Sequence, residues 1–374
     1  MKPFVHVRLV RYLALTFQRI FCIRIKSFNA MTKQESNTIK GVAILLMIFL
    51  HLFMSEDVGK YCQPLFFIGD KPIVYYLSRG CRPVDFFLIL SGYGLSYTYK
   101  YKTLNFKGQM NRLAKLYIHY WLILLIFVGI GCFVRPEKYP GTLEEAVLNI
   151  ISWKSSYNSE TWFLLPYALL ALSAKYIFKV VDKLGNIISF VFFLFLNLAG
   201  GYIISRYVAT HIITSSLFSM IIVYIELAFP FVLGNLLFRL SEAGKLRCKT
   251  FDKYPVLAFF LLLTVFTFKC FFGSQAFEAI YALVFIYLFI HIPLNLWIEK
   301  VLMKLGDHSM VMWMTHSFFC YHLFKAEVYS LRYPILIFIG LTVISYLVSI
   351  PIMYVARQII GKMLPESGGN RAYT

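Results

Sequence analysis

Charge is scarce in this chain, and acids are scarcer than bases. Only 15% of the 374 residues are charged, with 18 Asp and Glu against 37 Lys and Arg. A water-soluble globule carries about a quarter charged residues, so too few are present to cover a wet surface. The seven cysteines stand singly, at 22, 62, 81, 132, 248, 270 and 320. No CxxC and no Cys/His ligand spacing occurs, which argues against structural zinc and against a disulfide framework. A clean signal-peptide core with a small-residue cleavage site is missing as well.

What fills the space is apolar. Hydrophobic residues make up 59% of the chain and the mean hydropathy is +0.68. These figures exclude intrinsic disorder, collagen and a small secreted module. A membrane protein is the remaining class. A hydrocarbon core about 30 Å thick needs roughly 17 to 25 apolar residues per helix, and about ten stretches qualify. They lie near 39–54, 83–99, 116–134, 161–180, 187–204, 212–238, 255–273, 277–298, 309–324 and 333–356. The short alternating segments of a membrane β-barrel do not occur, so the expected fold is an all-α polytopic helical bundle.

The net charge of +19 would suggest nucleic acid in a soluble protein, but here its placement matters more. The 100–115 loop holds Lys100, Lys102, Lys107, Arg112 and Lys115 without an acid, and the 239–254 loop holds Arg239, Lys245, Arg247, Lys249 and Lys253. The 135–160 loop is instead mixed, with Glu137, Glu144, Glu145 and Glu160. Basic loops stay in the cytoplasm, which places both termini inside and predicts no nucleic-acid partner. The organisation expected is a basic extension over 1–32, a transmembrane domain over 33–356 and a cytoplasmic tail over 357–374. The extension reads either as an amphipathic helix on the inner leaflet or as upstream sequence ahead of a start at Met31, and the second reading is favoured.

Ionisable residues inside a span are costly and therefore candidates for function. Lys40 and His51 are eleven residues apart, which puts them about 20° from the same azimuth and about 16 Å apart along a helix. A snorkelling end charge and a packed histidine are the plain alternatives. Ser309, Trp313 and His316 share one face of another apolar helix, a stripe equally compatible with simple packing. Asp85 follows Pro83 at a helix start, and Ser91-Gly92 has the look of small-residue packing. Arg112 and Lys115 form a basic pair three residues apart, suited to phosphate or to the positive-inside bias alone. Glu226 and Lys269 are two further intramembrane charges, able to pair with each other or to line a polar cavity.

Taken in order, these elements resemble the acyltransferase 3 family of membrane acyltransferases. The resemblance rests on Lys40 with His51, the Asp85-Phe86-Phe87 and Ser91-Gly92-Tyr93 run, Arg112 with Lys115, and Gly306, Ser309, Trp313 and His316. Trp162-Phe163-Leu164 and Pro230 with Gly234 are similar to the family's middle landmarks. Lys40 and Lys115 stand where the family has Arg, and Trp313 where it has Tyr. Lysine keeps the charge but loses the bidentate fork.

The resemblance implies transfer of an acyl group, acetyl from acetyl-CoA above all, to a hydroxyl of a surface glycan or lipid-linked sugar. No bound cofactor is implied, and acyl-CoA acts as donor substrate. Lys40, Arg112 and Lys115 would meet the donor phosphates, and His51 would be the general base. His316 would orient it or stabilise the oxyanion, with Asp85, Ser91, Ser309, Trp313 and Glu226 in support. Partners would be the bilayer, donor, acceptor and glycan-assembly proteins, and the location a cell membrane, the bacterial inner membrane. The main alternative is a transporter or flippase for a lipid-linked sugar, using the same buried charges. A non-catalytic subunit of a glycan-assembly complex is the third reading.

The charge asymmetry makes a direct prediction about orientation. A cysteine probe at Ser155 should be labelled by an impermeant reagent from the periplasmic side, and one at Lys107 should not. The reverse pattern would invert the topology.

Overall fold

The computed structural model describes residues 30–212, 214–272 and 277–364. The proposed basic extension, up to residue 29, and the end of the tail lie outside the described residues. Helices dominate: α1 Lys33–Phe53, α2 Ile73–Arg79, α3 Pro83–Tyr101, α4 Phe106–Val134, α5 Leu143–Ile150, α6 Leu164–Ile203 and α7 Ser216–Glu242. They continue with α8 Lys249–Lys253, α9 Pro255–Phe272, α10 Glu278–Phe289, α11 Leu296–Ser317, α12 Lys325–Tyr329 and α13 Pro334–Met363. A two-residue hairpin, β1 Phe67–Ile68 with β2 Lys71–Pro72, lies between α1 and α2.

Among the described residues, six helices are long and apolar enough to cross a membrane: α1, α4, α6, α7, α9 and α13. The chain is an all-α polytopic bundle. The expected fourth and fifth spans both fall within α6, which is two helices meeting at a kink at Gly185, φ +75°. Only glycine takes that left-handed conformation without strain, so the break falls between the two expected stretches. The expected span 277–298 ends early, at Phe289, and the expected span 309–324 starts early, at Leu296. Pro293 lies in the gap, and the Asn295 side chain accepts a hydrogen bond from Trp297 N at 2.8 Å to cap the new helix. Apolar composition alone did not show that local capping chemistry.

The ends of α1 and α4 are set in the same way. Thr32 and Glu35 form a reciprocal capping box, with Thr32 N to Glu35 Oε2 at 2.8 Å and Glu35 N to Thr32 Oγ1 at 3.1 Å. Asn105 caps α4 by accepting from Gly108 N at 2.7 Å.

Two backbone-to-backbone crossings hold the bundle. Where α1 meets α11, a Cβ on Gly41 would stand 2.0 Å from Leu302 O, and one on Gly306 would stand 1.9 Å from Asn37 O. Where α3 meets α7, a Cβ on Gly92 would stand 2.0 Å from Phe231 O, and one on Gly234 would stand 2.1 Å from Ile89 O. In lipid, helices gain little from hydrophobic exclusion, and small residues that permit close approach drive their association. Gly92 therefore serves packing, as its sequence context allowed.

The crossing makes a stability prediction. Gly306→Ala should lower the melting temperature of the detergent-solubilised protein through overpacking of about 1–3 kcal/mol or more. Gly361→Ala, where a Cβ meets nothing within 4 Å, should change stability by no more than about 0.5 kcal/mol. Equal melting temperatures for both variants would contradict the crossing.

Candidate active site

The α1–α11 crossing carries His51 and His316 to the same end of the bundle. Their ring centroids are 5.1 Å apart. His51 Nε2 lies 3.0 Å from Glu160 Oε2, and only 10% and 14% of the two side chains are exposed, so the pair is largely screened from water. The carboxylate can only accept, so it fixes the His51 proton on Nε2 and leaves Nδ1 with its lone pair. The Tyr321 hydroxyl donates to the His51 carbonyl and lies 3.5 Å from Nδ1. His316 is fully buried and its Nδ1 stands 2.7 Å from Trp313 O. That carbonyl requires an Nδ1–H, so His316 Nε2 is a lone pair, buried and without a hydrogen-bond partner in the structure. Two basic nitrogens thus stand beside one carboxylate.

Glu160 is clamped by α11. The Trp313 indole donates to Glu160 O at 3.0 Å. Asn158 accepts from Glu160 N at 3.2 Å and from Ser317 Oγ at 2.6 Å, and donates to Met314 O at 2.7 Å. Beyond Ser317 the helix widens into a π turn over Phe318–Leu323, which brings in Tyr321 and His322. Such insertions recur where a helix must re-aim side chains.

Sequence reasoning did not single out Glu160, Asn158, Tyr321 or His322. Glu160 stood only two residues before the Trp162-Phe163-Leu164 landmark, yet it counted there as one acid of an acidic loop. Its pairing with His51 is a contact across 109 positions, which no local pattern records.

The remaining sequence candidates are dispersed. Trp313 touches the centre through Glu160. Ser309 is buried, with its hydroxyl 2.8 Å from Gly306 O of its own helix. Ser91 Oγ bonds the Tyr167 hydroxyl at 3.2 Å. Asp85 sits in the first turn of α3, near a second polar cluster where Glu278 Oε1 is 2.8 Å from Arg82 Nε and 3.4 Å from Lys269 Nζ. Glu226 lies against Gly200 and Gly201 of α6.

Lys40 occupies the opposite end of α1 from His51, with Nζ 3.4 Å from Asn37 Oδ1. Asn37 in turn donates to Asp307 Oδ1 at 2.5 Å. Next to them opens a cavity of about 730 Å³ lined by Lys33, Gln34, Asn37, Met303, Asp307 and Arg357. Arg112 and Lys115 are exposed near the start of α4, outside that lining. The structure thus has a basic cavity at one end and a histidine–carboxylate centre at the other.

Neither a curated protein nor a solved structure matches the chain significantly. The family described as an acyltransferase domain, acyltransferase 3, matches residues 34–354, a stretch that contains the histidine–carboxylate centre and Lys40, with Lys33 and Arg357 of the cavity just outside it. The chain belongs to the acyltransferase 3 family of membrane acyltransferases.

Proposed function

We propose that the protein moves an acyl group, acetyl from acetyl-CoA above all, to a hydroxyl of a glycan or lipid-linked sugar outside the membrane. One observation carries the reading. His51 is held by Glu160 at 3.0 Å beside the unbonded Nε2 of His316, at the far end of α1 from a cavity flanked by Lys33 and Arg357.

A CoA thioester brings several phosphates, which suit a basic cavity. Lys33 and Arg357 join Lys40 as donor contacts in this reading, with Arg112 and Lys115 on the approach. Lys40 and His51 are about 16 Å apart along α1, so the donor enters as a long arm with its thioester at the histidine end.

The thioester is already activated, and the chemistry reduces to proton handling. The acceptor hydroxyl gives its proton to a histidine lone pair as its oxygen attacks the thioester carbonyl carbon. The tetrahedral intermediate collapses, the C–S bond breaks, and the CoA thiolate takes the proton back from the imidazolium. His51 Nδ1 is the base, Glu160 orients the ring and balances its transient charge, and His316 Nε2 accepts from a second, neighbouring hydroxyl of the acceptor. Ser91 is left out, since its partner is a tyrosine and not a base.

The reading makes three predictions, one for the product and one for each end of the site. Surface glycans from cells lacking the gene should lose a base-labile ester visible by mass spectrometry, and unchanged ester content in every glycan class would refute the reading. His51→Gln should lower turnover by at least about 10²-fold in membranes, normalised to folded protein. Lys40→Ala and Arg357→Ala should chiefly raise the KM for the donor, whereas Lys40→Arg should retain activity. Near-normal turnover in His51→Gln would remove His51 as the base.

A further inference from the structure

The loop after α4 carries a cationic group that the proton chemistry above does not use. Lys138 is half-buried, and its Nζ lies 3.1 Å from His322 Nδ1. An ammonium has only donors, so His322 Nδ1 must accept and the ring proton must sit on Nε2. That Nε2–H is buried and has no hydrogen-bond partner in the structure. Arg135 adds a second cation, with Nη1 3.4 Å from His322 O.

The nearby carboxylates have other partners. Glu137 Oε1 is 2.5 Å from Arg135 Nε, and Glu145 Oε1 accepts from Ser156 Oγ at 2.6 Å. Burial and the neighbouring Arg135 both pull the Lys138 ammonium below its ordinary pKa, with Glu145 opposing them. A half-buried cation without a carboxylate at salt-bridge distance is costly unless something else compensates it.

This cluster adjoins the reaction centre. Tyr139, next to Lys138, donates to Tyr157 O at 2.8 Å, and Tyr157 donates back to Pro140 O. Those bonds fasten the Lys138 loop to the segment that presents Glu160. His322 lies on the same π turn as Tyr321, which touches His51.

Building on the acyl-transfer reading, we propose that Lys138, held by His322, and Arg135 form an anion-recognition mouth over the His51 end, and that the acceptor carries a carboxylate or a phosphate. The cations meet the anionic group while His322 Nδ1 holds Lys138 in place, and a neighbouring hydroxyl of the same sugar is thereby presented to the histidines. Charge-assisted bonds of this kind are about twice as strong as neutral ones and fix orientation.

The test is equilibrium binding to the purified full-length protein without acyl donor, using methyl β-glucuronide, glucose 6-phosphate and methyl β-glucoside as probes. The expected result is a Kd at least about tenfold lower for one of the anionic sugars than for the glucoside. The preferred anion then identifies the group as carboxylate or phosphate. Lys138→Met should abolish the preference, Lys138→Arg should keep it, and His322→Phe should weaken it. Equal binding of all three probes by the unaltered protein would overturn the proposal, as would a preference that survives in both Lys138→Met and His322→Phe. Because no donor is present, failure of the acyl-transfer reading would appear separately, as absent acyl release from acetyl-CoA.

Discussion

The contact between the backbones of α1 and α11 is the constraint on which the rest depends. Gly41 and Gly306 let Leu302 O and Asn37 O occupy space that any side chain would fill. The crossing lies near the Lys40 end, and from there the two helices run together to His51 and His316, whose rings end 5.1 Å apart. A shift of about 1 Å between near-attack groups costs of order 10²-fold in rate. Two glycines near one end of the bundle therefore govern geometry at the other.

Low dielectric explains why the centre is built as it is. A lone carboxylate at the depth of Glu160 would be costly, so each polar atom around it is committed. One oxygen faces His51 Nε2 at 3.0 Å and the other accepts from Ser159 Oγ at 3.0 Å, while the backbone is held by Trp313 and Asn158. The atom left over is His316 Nε2. An orphaned buried acceptor beside a fixed histidine–carboxylate pair is costly in a resting structure and useful to a substrate hydroxyl. The second polar cluster, around Glu278, has a different character. It joins α3, α9 and α10 through Arg82, Lys269 and Glu278.

Much of this was legible in the sequence, though unevenly. Helix-length apolar runs gave the all-α bundle, and the break at Gly185 fell where two runs met. The starts of α11 and the end of α10 were misplaced because Asn295 and Pro293 act locally within an apolar stretch. His51 and His316 stood out because an imidazole in a span is expensive. Their separation of 265 positions hid their contact, and only the family resemblance joined them. Glu160 was hidden by its surroundings: an acid in an acidic loop carries no mark until the chain folds it against α11. Ser309 and Ser91 were ambiguous in a different way. Both were open in the sequence to packing or to a supporting role, and their hydroxyls are bonded to a helix carbonyl and to a tyrosine.

The central claim is that His51 and Glu160 act as one unit. A double-mutant cycle on acyl transfer, with His51→Gln, Glu160→Gln and both together, measures that coupling directly. Residues of one catalytic unit lose far less together than the sum of their separate losses. The double variant should therefore be no slower than His51→Gln alone, with both single variants inserted and folded. Losses that multiply independently in the double variant would contradict the account.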